Sequence, residues 1–137
     1  MSKDSRIFDL EERLIDFAVR IIRTTESLPK TRAGNHIAGQ LIRCGTSPAP
    51  NYGEAQSAES RSDFIHKMKV SLKELRETRI WLLMIVKANL IKPTSKLEPL
   101  IHENNELNLY CGLGIEELWT FVTSVKTAKQ KEDKKTS

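Results

Sequence analysis

The chain has little of what most enzymes, membrane proteins and secreted proteins depend on. Only 6% of its 137 residues are aromatic and β-branched alternation is rare, which argues against a sheet. Its two cysteines, Cys44 and Cys111, lie far apart without a CxxC partner. They could pair, but two buried thiols in a reducing cytoplasm is the preferred reading. The longest apolar run is the seven residues Ile80–Val86, well short of the ~20 that span a bilayer. The N-terminal MSKDSRIFDLEERL lacks the unbroken apolar stretch of a signal peptide. These absences point to a soluble cytoplasmic protein with no membrane attachment.

Catalytic patterns are missing as well. The chain has no HExxH, GxSxG or GxGxxG and no phosphate-cradling glycine loop. His36, His66 and His102 sit on three different segments, with no i,i+4 partner and no cysteine at ligand spacing. Glu74, Glu77, Glu103 and Glu106 invite comparison with di-iron bundles. Those need a glutamate three residues before a histidine, and neither His66 nor His102 has one. No enzymatic activity, metal or cofactor is expected.

What is present is helical periodicity. With 39% apolar and 29% charged residues, the chain is long enough for one domain with a real core. After a short polar leader, Asp9 and Glu12 offer a capping box, although helix could begin near Ser5. Ile7, Leu10, Leu14, Phe17 and Ile21 then recur at 3,4,3,4 spacing, and Phe8, Ile15, Ala18 and Ile22 form a second stripe beside them. Two stripes predict a wide buried face. Arg6, Arg13 and Arg20 recur on the polar side, where a solvated face with Asp9, Glu12 and Asp16 is expected. Pro29 ends this helix. A second begins near Asn35 and meets Pro48 and Pro50 in TSPAPNYGEA, so it either stops there or continues kinked; the kinked, two-part helix is preferred. Gly39, Gly45, Ala49 and Gly53 would permit close helix approach.

The third helix, from about Ser62 to Lys92, organises the chain. Ser60 or Ser62 caps it. Phe64, Met68, Leu75, Leu82 and Ile85 form its core seam, and Asn89 and Pro93 mark its end. Ser95 and Glu98 suggest a capping box for a fourth segment, which Gly112 and Gly114 make either one interrupted helix or two shorter ones. Residues 129–137, KQKEDKKTS, carry nothing apolar to bury and are expected to be a disordered basic tail after a domain spanning 1–128.

Positive charge is uneven. Residues 63–92 carry seven basic and three acidic groups, residues 93–125 one and five, and residues 126–137 five and two. Lys67, Lys69, Lys73, Arg76 and Arg79 crowd the third helix, where they serve either phosphate recognition or, with Glu74 and Glu77, ordinary helical salt bridges. The Ile80–Val86 run, with Trp81, Leu83 and Met84, circles its helix. That predicts self-association, or else a thick core capped by the fourth segment.

Two stretches carry a family resemblance. QLIRCGTSPAPNYGEA resembles a Q-L-x-R…S-x-x-A-N-x-x-E-A/G signature, and DFIHKMKVSLKELRET a D-F-I…K-x-x-x-S-x-x-E-x-x-E-T pattern. Both belong to the bacterial four-helix-bundle proteins encoded in intervening sequences of 23S ribosomal RNA genes. The resemblance covers about residues 8–92 and again 115–129, and it maps family positions onto Gln40, Ser47, Asn51, Glu54, Ser71, Glu74 and Glu77. The second proline, Pro50, and the longer stretch from Asn108 to Trp119 depart from the family pattern. The resemblance implies an all-α, up-down, left-handed four-helix bundle and a ring-shaped homopentamer. A relative is the accessory protein of diversity-generating retroelements, which binds reverse transcriptase and nucleic acid through a basic surface. The sequence thus points to a ribosome-associated or other nucleic-acid accessory factor. Lys69, Lys73, Arg76 and Arg79 are its expected phosphate contacts and Arg43 a weaker one; the alternative is a protein-interaction scaffold.

Overall fold

Every regular element in the computed structural model, which describes residues 9–136, is helical. In chain order these are α1 (Leu10–Glu26), α2 (Arg32–Thr46), α3 (Pro48–Gln56), α4 (Arg61–Lys87), a 3-10 turn (Thr94–Leu97), α5 (Glu98–Leu113) and α6 (Ile115–Thr136). The polar leader with Arg6, Ile7 and Phe8 lies outside the described residues, as does Ser137.

The long helix α4 holds the core together. Its buried positions are Phe64, Met68, Ser71, Leu75, Thr78, Leu82 and Ile85, a strict 4,3 alternation that keeps one seam against its neighbours along most of this 27-residue helix. Ser60 caps its start, its hydroxyl accepting the Asp63 N–H at 3.1 Å. Its end is a Schellman motif. Asn89 turns into the left-handed region (φ 52), and the Asn89 and Leu90 N–H groups donate back to the Val86 and Ile85 carbonyls at 3.1 Å each. Ser71 and Thr78 fill seam positions where an apolar residue is the default expectation. The Thr78 hydroxyl is satisfied by the Glu74 carbonyl at 2.8 Å, whereas Ser71 Oγ is buried without a partner.

The two-proline stretch forms a two-part helix. Ser47 keeps helical dihedrals (φ −70, ψ −29) between α2 and α3. Pro48 and Pro50 fall in the first turn of α3, where a missing N–H costs little within that helix. This pair runs antiparallel to α4. Glu54 meets Lys67, Arg43 meets Glu74 and Glu77, and His36 meets Trp81, so that advancing along one helix means retreating along the other. Helix α1 packs against α2, α3 and α5, and α4 packs against α2, α3, α5 and α6. Helices α1 and α4 therefore sit on opposite sides of the shared neighbours α2–α3 and α5. Between α4 and α5, buried Asn104 donates its amide to the Leu75 carbonyl at 3.0 Å, and Asn108 donates to Asn104 Oδ1 at 3.1 Å.

Several expectations are corrected. Asp9 and Ser95 make no capping bond. The 3-10 turn runs straight into α5, with Pro99 in its first turn. The second stripe of α1 is not covered: Ile15 and Ile22 are 44% and 38% exposed. Arg13 leaves the expected solvated face to pair with Glu103 on α5, at 2.5 and 3.1 Å. Of the small residues on α2 and α3, Gly45 serves close packing, because a Cβ there would lie 2.7 Å from Ile21; Gly39 and Gly53 face open space. Of the two forms open to the fourth segment it takes the second, two helices, broken at Gly114, where a Cβ would meet the Tyr110 carbonyl oxygen at 2.8 Å. Helix α6 buries Leu118 and Val122, leans Trp119 on Phe64 (centroids 5.4 Å apart), and ties Lys126 to the Ala58 carbonyl at 3.0 Å. It then continues through the residues expected to be disordered, as far as Thr136. Lysine, glutamine and glutamate are good helix formers, and extending a nucleated helix costs far less than starting one.

Replacing Gly45 by alanine should destabilise the protein by about 1–3 kcal/mol through overpacking against Ile21. Gly53→Ala should be neutral or stabilise by up to about 1 kcal/mol, since it reduces backbone freedom without a clash. Urea unfolding followed by circular dichroism measures both. Unfolding midpoints that move together would contradict this packing.

Candidate functional site

Most of the motif residues converge on the contact between α2–α3 and α4. Arg43 reaches from α2 to two carboxylates one turn apart on α4, bonding Glu74 at 3.2 Å and Glu77 through its other nitrogen. Gln40 Oε1 also accepts from Arg43, at 3.3 Å. Trp81 Nε1 donates to Glu77 at 3.1 Å, and its ring meets His36 edge-on at 5.9 Å. The Trp81 hydrogen bond, followed by the charge of Arg43, holds the Glu77 carboxyl below its ordinary range against the opposing effect of burial. Glu54 extends the contact by pairing with Lys67 at 3.3 Å. Ser47 and Ser71 contribute small buried side chains whose hydroxyls make no bond, and Asn51 is half-buried on α3. The motif residues on α2 and α4 thus build an interhelical clamp.

That clamp decides what happens to the basic row. The salt bridges expected along α4 would have Glu74 and Glu77 neutralise Lys69, Lys73 and Arg76. Both acids turn to α2 instead. Among the described residues no ion pair engages Lys69, Lys73, Arg76 or Arg79, and all four are exposed. Lys69, Lys73 and Arg76 follow one another at 4,3 spacing along the outer line of the helix. Arg79 lies about 60° round the helix from Arg76, given ~100° per residue. Arg43 and Lys67, expected beside the row, are taken up by glutamates and leave it.

The same outer line turns apolar beyond Arg76. Ile80 and Met84 are 49% and 44% exposed and, with Leu83, Lys87 and Ala88, line a shallow surface groove. Of the residues expected to support self-association, Met84 and half-buried Leu83 are in this groove, while half-buried Trp81 is engaged by Glu77. Sequence reading missed the bridge from Arg13 to Glu103, which also places the guanidinium 4.9 Å from the centre of the Tyr110 ring. Two residues ninety positions apart leave no local signal of such a pairing.

Burial pushes the Cys44 and Cys111 thiols up to about 11 and about 12, so both stay protonated at neutral pH. Among the described residues no group of histidine, cysteine or carboxylate side chains is gathered to hold a metal ion, and no helix is long and apolar enough to cross a membrane.

The clamp thus lies beneath an unneutralised basic line on α4. Residues 8–110 match the family of 23S rRNA-intervening sequence proteins, and the chain belongs to that family. A crystal structure from Bacteroides thetaiotaomicron, of a protein with unknown function in the S23 ribosomal protein family, is 31% identical to this chain. It aligns over 77% of this chain and 97% of its own, with a TM-score of 0.72. No curated protein matches the sequence. Helix α6 lies beyond the family-matched residues.

Because the Glu77 carboxyl is held low, its contribution to stability is complete above its unfolded pKa of about 4.3 and is lost as pH falls through the lower folded value. Glu77→Gln should therefore flatten the acid limb of the stability-against-pH curve below about pH 4, with little change in shape above pH 6. Urea midpoints across that range test it, and an unchanged acid limb would sink the assignment.

Proposed function

We propose that this protein is a non-enzymatic, self-associating accessory factor of nucleic acid or ribonucleoprotein, working through the outer face of α4. The observation that carries this reading is the bare line Lys69, Lys73 and Arg76, whose neighbouring acids are committed to Arg43. Three unpaired cations at helical spacing suit a run of phosphates, and binding releases the counterions condensed on the nucleic acid. Arg79 flanks the line, and Arg43, already neutralised, is not a contact.

Around that face we read an up-down, left-handed four-helix bundle, with α2–α3 acting as one kinked helix. By resemblance to the family, copies form a ring, as a homopentamer in the cytoplasm, which would repeat the basic line around one surface. RNA or DNA is the expected ligand, and a reverse transcriptase or ribosomal component a suitable protein partner. A second reading, a protein-interaction scaffold, draws on the exposed groove at Ile80 and Met84.

Titration against structured RNA at several salt concentrations separates the two. The expected outcome is a log affinity that falls linearly with log salt. In the Lys69→Gln, Lys73→Gln, Arg76→Gln variant the slope should shrink by about 2–3, at about 0.7–0.9 per lost contact. Arg43→Gln, which frees Glu74 and Glu77 to turn toward Lys73 and Arg76, should also weaken binding, although Arg43 itself touches no phosphate. Absence of binding at low salt would overturn the nucleic-acid reading and leave the scaffold.

A further inference from the structure

Two apolar stripes remain uncovered on opposite sides of the protein. On α1, Ile15, Val19 and Ile22 are 44%, 39% and 38% exposed. On α4 the stripe is Ile80 and Met84, flanked by Leu83. The α1 stripe runs at i, i+4, i+7 over two helical turns, about 10.5 Å of axis at 1.5 Å per residue, and the α4 stripe at i, i+3, i+4 over about 6 Å. A solvent-facing helix has no structural need for such a stripe on its outer side.

The charges around the two stripes are opposite. Exposed Glu11 and Glu12 precede the α1 stripe and exposed Glu26 follows it, with Asp16 and Arg23 on one flank. Exposed Arg76 precedes the α4 stripe, exposed Lys87 follows it and Arg79 lies on its flank. Helix α1 is antiparallel to α2–α3: the short connection of residues 27–31 folds the chain back, Ile21 faces Gly45, and α1 goes on to pack against α3. Because α4 is also antiparallel to α2–α3, α1 and α4 point the same way. A second copy rotated about an axis along the helices keeps its α1 parallel to the first copy's α4. With Ile15 level with Ile80, that sets Glu11 and Glu12 beside the turn that carries Arg76 and Arg79, while Lys87 falls level with Ile22 and Glu26 lies one turn beyond it.

We infer that the α1 stripe of one copy docks on the Ile80–Met84 stripe of α4 in the next copy. This rests on the self-association reading and names the two surfaces that carry it. The contact is head-to-tail, since the two stripes are different surfaces on opposite sides of the same protein, so it builds rings or filaments rather than closing on itself as a twofold dimer. It occupies the apolar end of the α4 outer line, with Arg76 at the boundary between the two surfaces, and leaves Lys69 and Lys73 as the phosphate contacts wholly outside the interface.

Sedimentation velocity of the full chain at high micromolar concentration, combined with charge reversal, tests the pairing. Wild type should sediment as an oligomer. Glu11→Lys with Glu12→Lys should reduce it to monomer, as should Arg76→Glu with Arg79→Glu; combining all four in one chain should restore the oligomer. Misfolding cannot imitate that rescue, and circular dichroism checks helicity throughout. A monomeric wild type would overturn self-association itself. An oligomer unaffected by either pair, or not regained by the combination, would overturn this interface while self-association stands.

Discussion

One guanidinium bridging two carboxylates sets the character of this protein. Arg43 draws Glu74 and Glu77 across to α2, which ties the kinked helix to the long one and strips the outer face of α4 of its counter-charges. The energy of such a solvent-touched network is modest. Its larger effect is on the surface: the same two acids, turned outward, would make α4 an ordinary salt-bridged helix. A structural contact on the inner flank thereby creates the electrostatic property of the outer one.

The long helix divides its outer line between two kinds of surface. Its first part is cationic and hydrated, through Lys69, Lys73 and Arg76, and the part beyond is apolar, through Ile80 and Met84. These suit different partners, one a polyanion and the other a hydrophobic helix face. Because both lie on one rigid rod capped at Ser60 and Asn89, whatever binds one end is held at a fixed distance and angle from whatever binds the other.

Much of the helical architecture was legible in the sequence, because its signals are local or periodic. The α4 seam, the Ser60 cap, the stop at Asn89 and the two-part helix at Pro48 and Pro50 all follow from spacing and backbone chemistry. The misreadings share a different cause. Ser71 and Thr78 occupy seam positions without apolar side chains, so a count of hydrophobic residues passes over them. Ile15 and Ile22 have the right period for burial, but period does not reveal whether a neighbour exists to cover them. The bonds from Arg43 to Glu74 and from Arg13 to Glu103 join residues far apart in the chain, and the local i,i+4 alternative pointed to the wrong partner. The helical end of α6 went unseen because composition that cannot build a core can still prolong a helix already started at Ile115. The basic line was therefore visible as residues, but its exposure depended on tertiary pairing that periodicity does not encode.

Asn104, whose amide reaches the Leu75 carbonyl in a buried site, has a consequence for how the helices are phased. Apolar seams of this kind tolerate sliding, because leucines displaced by one turn find other leucines. A buried amide does not, since moving it off its carbonyl leaves a desolvated donor, at about 1–3 kcal/mol. Asn104 acts as an index pin that fixes the axial setting of α5 against α4, and Asn108 braces it. Through Gly114 the same setting reaches α6, so the height at which Trp119 meets Phe64 is fixed from the middle of the core.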